Sequence, residues 1–193
     1  MLLAAFQIST AQAARIEKAI GTGLTFFSGN ENSFVSPDLS PQVSFAANIL
    51  YKRINIVNHF EFGAMTGGKN FAGSLGSYTG FFGNYVLAMR VNLAKESVQP
   101  YFELGPTLGM FAITATGASG SQSKNQTSMK YGYTIGTGFD WLKAARRGES
   151  SGWGMGFNYF YYFKSVGSFE FPAAKLAVQG VKFELRFLLA PSK

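Results

Sequence analysis

Val181-Lys182-Phe183-Glu184-Leu185-Arg186-Phe187 decides how the rest of the chain is read. Its odd-numbered positions are Val, Phe, Leu and Phe, and the positions between them are Lys, Glu and Arg. A β-strand sends alternate side chains to opposite faces of its sheet, so this stretch has one apolar face and one ionised face.

The same period-2 pattern recurs upstream. Ile20, Leu24 and Phe26 alternate with Gly21, Gly23 and Thr25; Val43, Phe45, Ala47, Ile49 and Tyr51 alternate with Gln42, Ser44, Ala46 and Asn48. Ile54, Ile56, Phe60 and Phe62 oppose Asn55, Val57, His59, Glu61 and Gly63. Phe81, Tyr85, Leu87, Met89 and Val91 oppose Phe82, Asn84, Ala88 and Arg90, and Phe102, Leu104, Leu108 and Met110 oppose Tyr101, Glu103, Gly105 and Thr107. Tyr131, Tyr133, Ile135, Phe139 and Trp141 face away from Gly132, Thr134, Gly136, Gly138 and Asp140. Trp153, Met155, Phe157, Tyr159, Tyr161 and Phe163 face away from Gly154, Gly156, Asn158 and Tyr162. Residues 28–41, 66–77, 116–127 and 167–174 carry the Gly, Pro, Asn and Ser of long loops, and they alternate with short turns at 52–53, 94–97 and 143–151. About eight strands, each near the ~9–11 residues that cross a bilayer, joined by alternately long and short connections, predict an all-β fold. The architecture is an eight-stranded antiparallel up-and-down transmembrane β-barrel, with both chain ends on the short-turn side.

Which face points inward follows from the charges. Glu61, Arg90, Glu103, Asp140, Lys182, Glu184 and Arg186 fall within the strands, and all of them lie opposite the Phe/Leu/Ile/Tyr face. A soluble barrel would put its apolar face in the lumen. Eight such faces, some of them six bulky residues long, would overfill the narrow interior of an eight-stranded barrel, whereas Gly, Ala, Thr and Asn fit it. The apolar face therefore points to lipid, and the ionised residues meet across the lumen.

Composition agrees. Charged residues are only 14% of the chain, against the roughly 25% of soluble domains. Aromatics reach 16%, and they gather at strand ends, with Tyr51, Trp141 and Trp153 at the turn ends and Tyr131, Tyr133, Tyr161 and Phe163 at the loop ends. Those are the positions of interfacial girdles. No apolar run reaches the length of a transmembrane helix. The chain has no cysteine, which excludes disulfides, thiolate metal sites and cysteine nucleophiles. Most of the net charge of +7 sits in the turns and termini. No stripe of interleaved Arg and aromatic residues accompanies it, so nucleic acid is not an expected partner.

Leu2-Leu3-Ala4-Ala5-Phe6 is a short apolar run, and Ala11-Gln12-Ala13 before Ala14 has the A-x-A form of a cleavage site. Residues 1–13 are expected to be a signal peptide without a basic start, and residues 14–193 the exported barrel.

With its alternating segments, charged interior and signal-like start, the chain resembles the eight-stranded outer-membrane barrels of the OmpA, OmpX and NspA type over roughly residues 14–189. The resemblance rests on pattern and carries no short diagnostic motif. It departs at the end, where Phe187 is followed by Leu188-Leu189-Ala190-Pro191-Ser192-Lys193 in place of a terminal aromatic residue. It implies a bacterial outer-membrane location and contact with outer-membrane lipid and lipopolysaccharide. It also leaves room for a protein partner at the loops or periplasmic turns.

His59, the only histidine, shares a face with Glu61. Such a pair could orient a general base. It lies on the interior face, near or below mid-membrane, with no serine-nucleophile motif nearby, so it reads as a hydrogen-bonded lumen residue. The sequence thus predicts a structural or surface-interaction barrel with a plugged, charged lumen, no cofactor, no metal and no catalytic site. A lipid A-modifying enzyme and a minor pore are the alternatives.

Overall fold

The computed structural model describes residues 15–29, 38–51, 54–71, 74–94, 97–116, 123–144, 150–166 and 178–192. The proposed signal segment lies outside the described residues. Eight strands follow in order: β1 (Arg15–Gly29), β2 (Asp38–Tyr51), β3 (Ile54–Phe71), β4 (Ser74–Asn92), β5 (Val98–Thr116), β6 (Ser123–Ala144), β7 (Ser150–Val166) and β8 (Val178–Ser192). Each is antiparallel to the next, and β8 closes on β1. Closure gives every strand two neighbours, the only way a sheet satisfies its backbone groups in hydrocarbon.

Parity runs as the charges require. In β8, Lys182, Glu184 and Arg186 are 3%, 1% and 3% exposed, while Leu185 and Phe187 are 40% and 61% exposed. The neighbouring strands make room for these long inward side chains with glycine. Arg186 pairs with Gly21 of β1 and Gly154 of β7, and Glu184 pairs with Gly23 and Gly156. A Cβ at Gly21 would collide with Ser44 Oγ and Glu184 Oε1, and one at Gly154 with Asp140 Oδ1, so these two glycines leave the space that the charged side chains occupy.

The outer surface is a continuous apolar band that includes Ile20, Leu24, Phe45, Phe60, Leu104 and Phe157, each at least 38% exposed. Exposed apolar surface on this scale is stable only against lipid. Trp141 stacks on Trp153 across β6–β7 at one edge of the band, with ring centroids 5.3 Å apart. Tyr131 packs on Phe163 at the other edge, 4.8 Å apart. Ten residue steps separate Tyr131 from Trp141, which in a tilted strand span about 25 Å of membrane normal, the height of a barrel's apolar band. The chain is a membrane-spanning barrel.

The strands are longer than the sequence suggests, from 14 residues in β2 to 22 in β6. The Gly-rich stretch 66–77, read as loop, is mostly strand: β3 and β4 stay in register to the Phe71–Ser74 pair. Residues 123–127 and 143–144, also read as loop and turn, belong to β6. Glycine and polar residues lack apolar alternation, but nothing prevents them from pairing once a hairpin is aligned. As a result, the pairing of β2 with β3 ends at Gln42–Gly63 and that of β6 with β7 at Met129–Val166, while β3, β4, β5 and β6 remain paired beyond both points. Among the described residues, a four-stranded extension rises from the loop side of the barrel.

Candidate functional site: the lumen

Each charged lumen residue is placed by a strand whose alternate residues face lipid. Across the turn-side half, Asp140 of β6 bridges two guanidinium groups, accepting from Arg90 Nη1 at 3.2 Å and from Arg186 Nη2 at 2.8 Å. Arg90 also donates from Nε and Nη2 to Glu103 Oε2 at 2.9 and 2.8 Å. Tyr101 lies between the two arginines, its ring 4.0 Å from Arg90 Cζ and 5.0 Å from Arg186 Cζ, while its hydroxyl accepts from Arg186 at 2.8 Å. Two carboxylates and two guanidinium groups balance here, each hydrogen-bonded, which is the condition for holding charge away from water.

A second group lies nearer mid-membrane. Lys182 donates to Glu61 and stands 3.4 Å from Glu184. His59 sits between the same carboxylates, with Nε2 3.1 Å from Glu184 Oε1 and Nδ1 3.7 Å from Glu61 Oε1. Ser44 donates to Glu184, Asn158 donates to Glu103, and Asn84 donates to Glu61 at 3.0 Å. Thr107 and Tyr162 both donate to Asn84 Oδ1, at 2.6 and 2.7 Å. The structure therefore gathers all eight lumen residues proposed from sequence into two clusters. Their partnering differs in detail: Glu61 reaches Lys182 across the barrel, but Glu103 is taken by Arg90. Thr107→Val, which keeps the shape and removes the hydroxyl, is expected to lower the urea midpoint of the detergent-folded barrel by an amount equivalent to about 1–2 kcal/mol.

Two further charged residues prove to be interior. Glu17, near the start of β1, is 7% exposed and accepts from Asn48 at 3.0 Å. Lys130 is 1% exposed within β6. Continuing the odd–even count one turn further into each strand would have found both.

The loop-side half of the lumen is aromatic, which the expectation of a Gly/Ala/Thr/Asn interior missed. Phe27 lies edge-on to Phe82, Phe111 and Phe160, at 4.9, 6.0 and 5.6 Å between centroids, and Tyr162 closes the cluster against Phe111 and Phe160. Gly109 admits Tyr162, since a Cβ there would come within 2.8 Å of its ring. Toward the turn side, Ala19, Ala46 and Leu188 pack with Leu142. Along the lumen the charge clusters thus lie between an aromatic cluster and a smaller apolar one.

The girdle residues form pairs: Trp141 with Trp153, Tyr131 with Phe163, and Tyr133 with Tyr161 at 5.8 Å. Tyr51 ends β2, and its side chain lies outside the described residues. Among the described residues no group of His, Cys, Asp and Glu is arranged to hold a metal ion.

No protein-family model matches the chain, and no curated protein matches it by sequence. Among solved structures it is similar to Neisserial surface protein A, with 11% identity, coverage of 89% of this chain and 96% of that one, and a TM-score of 0.53. It also matches Ail, the attachment invasion locus protein of Yersinia pestis, at 11% identity over 92% of this chain and 98% of that one, with a TM-score of 0.48. The first likeness shows a shared fold, the closed eight-stranded barrel.

Proposed function

We propose that this chain is a bacterial outer-membrane barrel that acts at the cell surface by contact, with a lumen that is structural rather than conducting or catalytic. The observation that carries this reading is the loop-side extension of β3 to β6. Beyond Met129, residues 123–128 of β6 are an edge of that extension, hydrogen-bonded to β5 and to no other strand among the described residues. A strand edge without a neighbour is a template for an extended segment of a partner protein, and the run Ser123-Lys124-Asn125-Gln126-Thr127-Ser128 has the polar composition that suits such an edge. Lipopolysaccharide surrounds the same end of a barrel in this membrane, and it is the second expected contact.

A photoreactive label on Thr127→Cys, in a chain with no other cysteine, should cross-link a partner in native outer membrane. Shortening the β5–β6 hairpin by removing residues 114–125 should abolish the adduct while the barrel stays folded. An adduct that survives the deletion, or stepwise conductance in planar bilayers, would contradict the reading. The lumen makes a separate demand. Lipid A mass spectra should be identical with wild type, with His59→Ala and without the protein; a modification that requires His59 would establish the enzymatic alternative.

A further inference from the structure

Of the four buried cations among the described residues, Arg90, Lys182 and Arg186 each touch a carboxylate. Lys130 touches none. It is 1% exposed on the inner face of β6, and its ammonium group has neither a hydrogen bond nor an ion pair among the described residues. The buried carboxylates are committed elsewhere: Glu61 and Glu184 to Lys182, Glu103 and Asp140 to the arginines, and Glu17 to Asn48. Lys130 stands beside the aromatic cluster instead, since it pairs with Gly109, and the rings of Tyr162 and Phe111 lie against that glycine. A buried ammonium group without an anion destabilises a fold.

A second, independent observation concerns the strands around it. Segments 64–71, 74–82, 109–116 and 123–130, which build the loop-side extension and its base, contain Lys69, Lys124 and Lys130 and no Asp or Glu. These strands therefore supply no anion of their own. Lys130 is also the last inner-face position of β6 before the open edge. It pairs with Ser165 of β7, whereas position 128, the next on that face, has no partner in β7. A strand added along 123–128, antiparallel to β6 and in line with β7, places alternate side chains on the inner face. Its residue opposite Ser128 is the diagonal neighbour of Lys130, within reach of a long side chain. A lipid head group outside the barrel has no such approach to a residue of the inner face.

We propose that the partner segment received at the β6 edge is acidic, and that one of its carboxylates pairs with Lys130. The proposal rests on the contact reading above and names the chemistry of that contact: a Glu or Asp on the inward side of an added strand. Lys130 is then a recognition element that lowers the stability of the free barrel and is neutralised on binding.

Two measurements on the detergent-folded full chain test this. In urea titration, Lys130→Met should raise the midpoint, because it replaces an unpaired buried charge by an apolar side chain of similar length. A midpoint at or below that of wild type would mean that the ammonium group is satisfied within the chain, and would overturn the proposal. In fluorescence anisotropy, a labelled short peptide alternating Thr and Glu should bind more tightly than one alternating Thr and Gln. Lys130→Gln should weaken the Thr/Glu peptide about tenfold, the loss of one charge-assisted contact, and Lys130→Arg should preserve it. Lys18→Gln, which removes the same charge from the outer face at the other end of the barrel, should have no effect. Equal binding of the two peptides, a Lys130→Gln barrel indistinguishable from wild type, or an equal loss with Lys18→Gln would overturn the proposal. So would binding of inorganic phosphate that depends on Lys130 while the Thr/Glu peptide fails to bind, which would make this a small-anion site. The two readings fail separately: absence of any adduct at Thr127→Cys in native membrane contradicts the contact reading alone, and an adduct formed equally well with Lys130→Gln contradicts only the acidic partner.

Discussion

Asp140→Ala is expected to cost about 3–5 kcal/mol and to leave most of the protein in the unfolded, heat-shifted band on a cold gel. Asp140 is the shared acceptor of Arg90 and Arg186, both 3% exposed or less. Removing it leaves two guanidinium groups facing each other across Tyr101 with one carboxylate, Glu103, between them and neutrality. Water does not readily replace the lost acceptor, because Asp140 is itself only 6% exposed. Arg186→Ala and Glu184→Ala should act in the same direction. The informative partner is Asp140→Ala combined with Arg186→Met: if the penalty comes from unpaired charge, the double variant should recover part of the folded fraction lost by the single one. Lys124→Ala, on the loop-side extension, should leave the folded fraction unchanged.

Phe183→Arg tests the opposite face. Phe183 lies in the outward row formed with Leu24 and Phe157, midway along β8 between the level of Trp153 and that of Tyr161. An arginine near the bilayer midplane of a barrel costs about 2–4 kcal/mol, falling toward the interfaces. Refolding into bilayers should be impaired by that amount, measured by urea titration. The same substitution at Phe187, nearer the tryptophan pair, should cost less. A barrel that tolerated arginine at 183 without loss would have its faces the other way round.

What was legible in the sequence was parity, because a period of two survives without any knowledge of the fold. Lys182, Glu184 and Arg186 fall on one face of β8 whatever the barrel's details, and the glycines of β1 and β7 already hinted at the room those side chains need. The ends of strands were less legible. Glu17 precedes the first clear alternation, and Lys130 follows a run of Ser, Gln and Asn, so neither sits in a pattern that apolar residues announce. Phe27, Phe111 and Phe160 were missed for a related reason. An aromatic residue on the inner face looks like an interruption of the pattern, and only the three-dimensional meeting of β1, β4, β5 and β7 shows that such interruptions pack on one another. Pairing partners such as Arg90 with Glu103 depend on register between strands, which one chain's alternation does not encode.

The most direct measurement is spin-label accessibility on single-cysteine variants, in a chain that contains no native cysteine. Labels at Val181, Leu185 and Phe187 should collide strongly with oxygen dissolved in the bilayer and weakly with a water-soluble nickel chelate. Labels at the inward positions Ala46, Val57 and Ala88 should be shielded from both. Outward labels open to the nickel chelate, or Ala46 and Ala88 open to bilayer oxygen, would contradict a barrel that turns its apolar face to lipid and its charges to a closed lumen.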